Sequence, residues 1–77
     1  SQHLTEREIE CLFWAANGKS SHETAIILKI KKYTVEEYHK QIKQKLNCSS
    51  MSQAVYEGFK QGYIGAFNRL DANFFKM

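Results

Sequence analysis

The sequence predicts an all-α fold, a helix bundle of four helices followed by a short C-terminal extension. Its 77 residues include no proline and four glycines, so helices form easily while tight hairpins are poorly supplied. Apolar residues recur at three- and four-residue spacings, and Ser or Thr residues are followed three positions later by Glu or Gln, the pattern of a capping box. A chain this short forms one small core and leaves little room for an enzyme cleft.

The first helix is predicted to begin after Thr5, which forms a capping box with Glu8. It ends at Asn17 and Gly18, because glycine adopts the left-handed conformation that commonly follows a helix. Its buried face is formed by Ile9, Leu12, Phe13 and Ala16.

The second helix is predicted to begin after Ser20, which forms a second capping box with Glu23, and to run to Leu28. It is too short to be stable alone and depends on packing. The pattern then stops at "KIKKY", so the chain turns near Lys29. A left-handed residue in that turn would more comfortably be glycine or asparagine.

The third helix has one apolar and one polar face. The apolar face is formed by Val35, Tyr38, Ile42 and Leu46. The polar face is formed by Tyr33, Glu37, Lys40 and Gln44, flanked by Glu36, Gln41 and Lys43. Both glutamates are therefore expected on the outward face, among lysines.

A fourth helix is predicted from a third capping box, Ser50 with Gln53, to Gly62. The residues expected to face inward are Met51, Ala54, Val55 and Gly58. We assign residues 1–64 to one domain and residues 65–77 to the extension. The extension, with Phe67 and Phe74, is expected to form a short helix, and the alternative is a frayed terminus.

The positive charge is concentrated in residues 29–45, which hold six lysines and two glutamates, a net +4 against +3 for the whole chain. Residues 1–28 carry a net −2. Such a run is often only a solvated helix face. The alternative is a surface that binds a nucleic-acid backbone.

The sequence argues against several other classes of protein. No apolar run approaches the roughly 18 to 20 residues that span a bilayer, and no signal-peptide pattern is present, so we expect a cytoplasmic protein without membrane contact. Cys11 and Cys48 are expected to be reduced packing residues. His3, His22 and His39 form no zinc-finger spacing with them. We expect no catalytic residues, metal or cofactor, since Cys11 lies inside a helix without an evident base.

Two short helices joined by a tight turn, the second with an outward polar face, describe a helix-turn-helix. Ala25, the turn at Lys29 and the anchor at Val35 have the spacing that such a pair needs. Because an α-helix fits the major groove and lysines neutralise phosphates, the local charge favours DNA binding.

Over residues 4–64 the chain resembles the LuxR-type helix-turn-helix domain. The segment "ECLFWAANGKSS" most resembles the quorum-sensing branch of bacterial regulators. The matching motifs are "LTEREIECLFWAANGKSSHETAIIL" (4–28), "TV" (34–35), "KL" (45–46), "QAV" (53–55) and "GYI" (62–64). The resemblance implies a DNA-binding domain that follows a signal-receiving domain, reads the major groove with its third helix and dimerises through its fourth. We expect such an upstream domain here, as the chain also opens on Ser1 rather than Met.

The resemblance also implies DNA contacts at particular positions. Base-contacting positions fall on Glu36, Glu37 and Lys40. Positions near the DNA backbone fall on Ser20, Lys31, Thr34, Val35 and Lys45, and the local charge adds Lys32 and Lys43. The chain departs from the family pattern where Lys31 replaces a capping serine, Tyr38 a histidine, Met51 an arginine and Glu36 a common lysine.

A carboxylate in the groove is repelled by phosphate unless it meets a donor, and the exocyclic amine of cytosine is such a donor. We therefore expect the lysines to supply affinity, Glu36 or Glu37 to select cytosine and Lys40 to contact guanine. The alternative is that a glutamate pairs with Lys40 along the helix, for a few tenths of a kcal/mol.

A second stripe on the fourth helix, turned away from its buried face, holds three aromatic residues. It consists of Ser52, Tyr56, Phe59 and Tyr63. We expect it to form a homodimer contact, which would set two third helices about one DNA turn apart. The alternative is that Phe67 or Phe74 of the extension covers it.

The sequence thus predicts the DNA-binding domain of a bacterial transcription regulator, with double-stranded DNA and a second copy as partners. The alternative is a helical protein-interaction module that has kept the fold and lost operator binding.

Overall fold

Four helices make up the domain in the computed structural model, which describes residues 3–65. They are α1 (Glu6–Ala16), α2 (Ser21–Leu28), α3 (Lys32–Lys45) and α4 (Met51–Lys60). These residues include no β-strand, so the predicted all-α class is confirmed. None of these helices is both long and apolar enough to cross a bilayer. The helix predicted in the extension lies outside the described residues, as do Phe67 and Phe74.

The helices begin where the capping pattern predicts. Thr5 and Ser20 each form both hydrogen bonds of a capping box, with Glu8 and Glu23 respectively. Ser50 forms only half of the third box: its hydroxyl accepts the Gln53 N–H at 3.1 Å.

The prediction that Gln53 returns the second bond to Ser50 is wrong. Its Oε1 atom accepts the Ser49 backbone N–H at 3.0 Å, one residue earlier. The preceding turn contains Asn47, which has a φ of 57°. The Gln53 side chain therefore binds the N–H of Ser49 rather than that of Ser50.

The core forms where α3 packs against α1 and α2 while α4 packs against α1. Val35 and Ile42 are fully buried and Leu46 nearly so, as the periodicity predicts. Cys11 is also fully buried, and burial raises the pKa of its thiol to about 11, which fits a packing role. The full set of buried apolar residues is Leu4, Cys11, Leu12, Ala25, Val35, Ile42, Leu46, Ala54 and Ile64.

A tight turn sets the direction of α3 relative to α2. Lys29 adopts the left-handed conformation predicted for it, with φ 60° and ψ 44°. The Ile30 N–H then donates to the Ala25 carbonyl oxygen at 3.0 Å, which closes the end of α2. The chain is thereby redirected into α3 after two further residues.

Candidate nucleic-acid interface

The outward face of α3 is exposed to solvent. It comprises Tyr33, Glu36, Glu37, Lys40, Gln41 and Gln44, and all except the half-buried Glu37 are classed as exposed. Because Val35 and Ile42 on the opposite side are buried, the helix is fixed with this polar face outward. The six residues span the middle of α3 and its first turn, so the helix can be approached along most of its length.

The N-terminus of α3 combines positive charge with free backbone donors. Lys31 is the N-cap residue, and no side chain caps this end of the helix. Its first N–H groups are therefore available, and the helix dipole adds partial positive charge. The exposed side chains of Lys29, Lys31 and Lys32 surround this end. An anion would be stabilised here by both features.

The two glutamates differ in their surroundings. Glu36 lies 3.9 Å from Lys32 one turn earlier, and both side chains are more than half exposed. A pair of that length and exposure contributes little to stability. Among the described residues no ion pair joins either glutamate to Lys40, so the pairing considered for the sequence alone does not form there.

Lys45 forms an ion pair with a buried side chain of the domain. Its Nζ atom donates to Glu8 Oε1 at 2.9 Å and lies 3.4 Å from the His3 carbonyl oxygen. The Glu8 side chain is 2% exposed and that of Lys45 is 20% exposed. Lys45 therefore neutralises a buried carboxylate, whereas the longer Lys32–Glu36 pair is exposed.

The remaining predicted backbone contacts have different exposures. Ser20 is exposed at the start of α2, where its backbone N–H donates to Glu23 Oε1 at 2.8 Å. Thr34 and Lys43 are partly buried. The side chain of Val35 is fully buried, so only its backbone could approach DNA.

A groove between the four helices contains His39, which was considered from the sequence only as a zinc ligand and was not predicted to be partly buried here. His39 lines it together with Lys19, Ser20, Ser21 and Met51. The His39 Nε2 atom is buried without a hydrogen-bond partner. Burial lowers the pKa of this imidazole, the nearby charge of Lys43 lowers it further, and Glu36 acts in the opposite direction. His39 therefore tends to be neutral in the free domain.

The stripe proposed for dimerisation is mostly open. Ser52, Tyr56 and Phe59 are exposed, and Lys60 Nζ lies 5.3 Å from the centre of the Tyr56 ring. Tyr63 is half-buried and forms a hydrogen bond within the domain, since the Leu4 backbone N–H donates to its hydroxyl oxygen at 3.3 Å. Three of the four predicted residues thus remain available to a second copy.

No group of three or more His, Cys, Asp or Glu side chains among residues 3–65 is placed to hold a metal ion. The described surface is instead defined by an outward helix with basic flanks, carried by a two-helix unit with a tight turn. These features define a helix-turn-helix domain of the nucleic-acid-binding type.

Comparison with known families matches residues 2–57 to "Bacterial regulatory proteins, luxR family". The chain belongs to this family, as its sequence motifs predict. Its predicted function as the DNA-binding domain of a transcription regulator is likewise confirmed.

The similar proteins are regulators with longer chains. Over 61 residues the chain is 49% identical to the "HTH-type quorum sensing-dependent transcriptional regulator VjbR" of Brucella melitensis. It is 43% identical over 61 residues to the "Transcriptional activator protein AhyR" of Aeromonas hydrophila. These matches cover 79% of this chain and 24% of each relative. A third relative, the "Transcriptional activator protein VanR" of Vibrio anguillarum, is 38% identical over 64 residues, or 83% of this chain and 27% of that protein. The chain thus spans about a quarter of the length of these relatives.

Proposed function

We propose that the domain recognises a promoter site by placing the outward face of α3 in the major groove. The observation that carries this proposal is the exposure of that face together with the uncapped, lysine-flanked N-terminus of α3. An α-helix fits the major groove, and the N-terminal residues of a helix-turn-helix recognition helix contact base edges there.

The lysines supply affinity that is independent of sequence. We assign phosphate contacts to the exposed Lys31 and Lys32 and to the partly exposed Lys43. Ser20 and Thr34 approach the same backbone, and Val35 does so through its peptide group. Lys45 takes part only if phosphate displaces it from Glu8, since the free domain holds it there at 2.9 Å.

Glu36 and Glu37 supply selectivity. Neither forms a close ion pair among the described residues, so each carboxylate can accept a hydrogen bond from a cytosine amine. Elsewhere in the groove a carboxylate is repelled by the phosphates, so a site without a correctly placed cytosine is rejected. Lys40, three or four residues later on the same face, is placed to contact guanine.

The second candidate is a protein-interaction module that has kept the fold, and the acidic pair in the recognition helix favours it. Salt dependence separates the two functions. For a DNA-binding domain, the logarithm of the affinity falls by about 0.9 per neutralised phosphate for each tenfold rise in salt. An interaction module would show no such dependence with duplex DNA.

At the level of the whole protein, we propose a cytoplasmic, nucleoid-associated regulator that binds a two-fold related site as a homodimer. The exposed residues Ser52, Tyr56 and Phe59 support α4 as the contact. The similar regulators extend well beyond the matched region, which supports a further, signal-receiving domain. The name of the Brucella relative supports regulation that depends on quorum sensing. We also propose that the domain has no catalytic activity and needs no cofactor.

The experiment is a selection of bound duplexes from random DNA at two salt concentrations, with the wild-type domain and Glu36→Ala. We expect wild type to select a site with a fixed C·G pair, and the variant to tolerate any base pair there at a cost of about 1–3 kcal/mol in discrimination. Glu10→Ala is the matched control, an exposed carboxylate on α1. An unchanged preference with Glu36→Ala would refute readout by Glu36, and absence of any salt-dependent duplex binding would refute the DNA-binding mode.

A further inference from the structure

Tyr33 is the most exposed large hydrophobic residue among residues 3–65, with 68% of its surface accessible. It is the second residue of α3, directly after Lys32. Tyr33 is not among the DNA contacts that the sequence or the family resemblance predicts. Because Tyr33 is so exposed, its ring is not part of the core of the described domain. The ring is therefore available to a partner.

The position of Tyr33 on α3 favours DNA as that partner. Residues three and four apart are neighbours on one face of a helix, so Tyr33 lies one turn before Glu36 and Glu37 on the outward face. It also lies in the first turn of the recognition helix, the part that contacts base edges in helix-turn-helix proteins. The exposed Lys31 and Lys32, to which phosphate contacts are assigned above, directly precede it in the chain.

The chemistry of the side chain narrows the contact further. The major-groove edges present hydrogen-bonding groups and one apolar group, the 5-methyl of thymine. An aromatic ring gains most from the apolar group, because burial against it removes both surfaces from water. The carboxylates of Glu36 and Glu37 can only accept hydrogen bonds from base edges. Tyr33 therefore adds an apolar contact that they cannot provide.

We propose that Tyr33 is a specificity-determining residue that packs its ring against the 5-methyl group of a thymine in the bound site. The proposal rests on the function proposed above, with α3 in the major groove. Along an α-helix the rise is 1.5 Å per residue, so Tyr33 lies about 4.5–6 Å before the two glutamates. Base pairs are stacked about 3.4 Å apart, so the thymine lies within about two base pairs of the base that the glutamates contact.

The test removes only the methyl group. Each thymine of the selected duplex is replaced in turn by deoxyuridine, which keeps every hydrogen-bonding group, and the dissociation constant is measured for the 77-residue chain. We expect a loss of about fourfold at one thymine per half-site, the value of one buried methyl group. Tyr33→Ala should bind the thymine duplex more weakly and show no further loss with deoxyuridine at that position.

Two further variants isolate the role of the ring. Tyr33→Phe keeps the ring and should retain the loss at the same thymine. Ile26→Ala is the matched control, since Ile26 is 63% exposed but lies on α2. It should retain the loss as well.

The proposal is overturned if wild type and Tyr33→Ala lose affinity equally at every thymine, or if the selected site contains no preferred thymine. In either case the proposed DNA binding still stands, because duplex binding is measured directly. A chain that binds no duplex at all would refute both proposals.

Discussion

At the scale of single residues, the lysines of residues 29–45 differ in their surroundings. Lys31, Lys32 and Lys40 face solvent, whereas Lys45 is bonded to Glu8. Burial raises the pKa of Glu8, but the hydrogen bonds from Lys45 and Thr5 and the Lys45 charge outweigh it, and the net shift is downward. The same carboxylate accepts the Thr5 backbone N–H at 2.8 Å. One side chain therefore caps α1 and attaches the end of α3 to it.

We predict that Glu8→Gln destabilises the domain by about 2 kcal/mol at pH 7. Glutamine can still form the capping box, so the loss reports the unpaired Lys45 charge. The free energy of unfolding is to be measured in urea. Glu23→Gln is the matched control, since Glu23 has the same capping role in α2 but is exposed. A loss that is no larger than the control's would contradict the role assigned to Lys45.

The same variant makes a prediction for pH. Because the pKa of Glu8 is below its usual 4.5 in the folded domain, its stabilising effect is fully present above about pH 4.5. It is lost as the pH falls through the lower, folded-state pKa. The stability difference between wild type and Glu8→Gln should therefore shrink only below pH 4.5. A difference that is constant down to the acid unfolding transition would contradict the lowered pKa.

At the scale of the helices, α3 is the one without a side-chain cap. Thr5, Ser20 and Ser50 cap the other three, while Lys31 precedes α3. A serine at this position would accept a hydrogen bond from the first turn. Lysine instead provides positive charge beside free N–H groups, which lowers stability and favours an anion at the same place.

We predict that Lys31→Ser stabilises the domain by about 1 kcal/mol and weakens its binding to DNA. The slope of log affinity against log salt should fall in magnitude by about 0.9, the value for one phosphate contact. Urea unfolding and a salt titration of duplex binding measure the two effects. Lys60→Ser, an exposed lysine at the end of α4, is the control and should leave the salt slope unchanged. A higher stability with an unchanged slope would show that Lys31 does not contact phosphate.

At the scale of the whole molecule, α1 and α4 approach closely because Gly58 has no side chain. A Cβ atom at Gly58 would lie 2.7 Å from Leu12 Cδ2 and 3.3 Å from Ile64 Cγ1. Leu12 is fully buried and Ile64 nearly so, so an added methyl group would have to displace core side chains. The glycine therefore sets the distance between the two helices.

We predict that Gly58→Ala destabilises the domain by about 1 kcal/mol. Overpacking costs about 1–3 kcal/mol, and the higher helix propensity of alanine offsets up to about 1 of this. Urea unfolding measures the change. Ser52→Ala on the exposed side of α4 is the control and should be slightly stabilising, because only propensity changes there. A stabilising Gly58→Ala would mean that the packing of Leu12 adapts to the added methyl group.

Local features of this fold could be predicted from the sequence, and long-range ones could not. The buried stripe with Val35 and Ile42 follows from helical periodicity, and the turn at Lys29 follows from the spacing of a helix-turn-helix. The bond from Lys45 to Glu8 joins residues 37 positions apart, and that from Leu4 to Tyr63 joins residues 59 apart. Helical periodicity carries no information about such long-range contacts. The ion pair of Lys45 with Glu8 and the hydrogen bond of Tyr63 within the domain could therefore not be predicted.

Assembly on DNA provides the last prediction. Tyr56 and Phe59 are 61% and 47% exposed, and together they form the apolar part of the stripe on α4. If two copies meet there, their α3 helices lie about 34 Å apart, and a duplex with two half-sites one turn apart binds both. We predict that the Tyr56→Ala/Phe59→Ala variant weakens binding to this duplex at least tenfold, about 1.4 kcal/mol.

Binding of the same variant to a duplex with one half-site should be unchanged, because neither residue lies on α3. Tyr63→Phe is the control: it removes the hydroxyl bonded to Leu4, so it should lower the stability of the domain and leave the binding ratio of the two duplexes as in wild type. Equal losses on both duplexes would indicate that the stripe acts on folding or on DNA directly. An unchanged affinity for the two-half-site duplex would mean that two copies meet elsewhere, since contact through α4 requires these rings to leave water together.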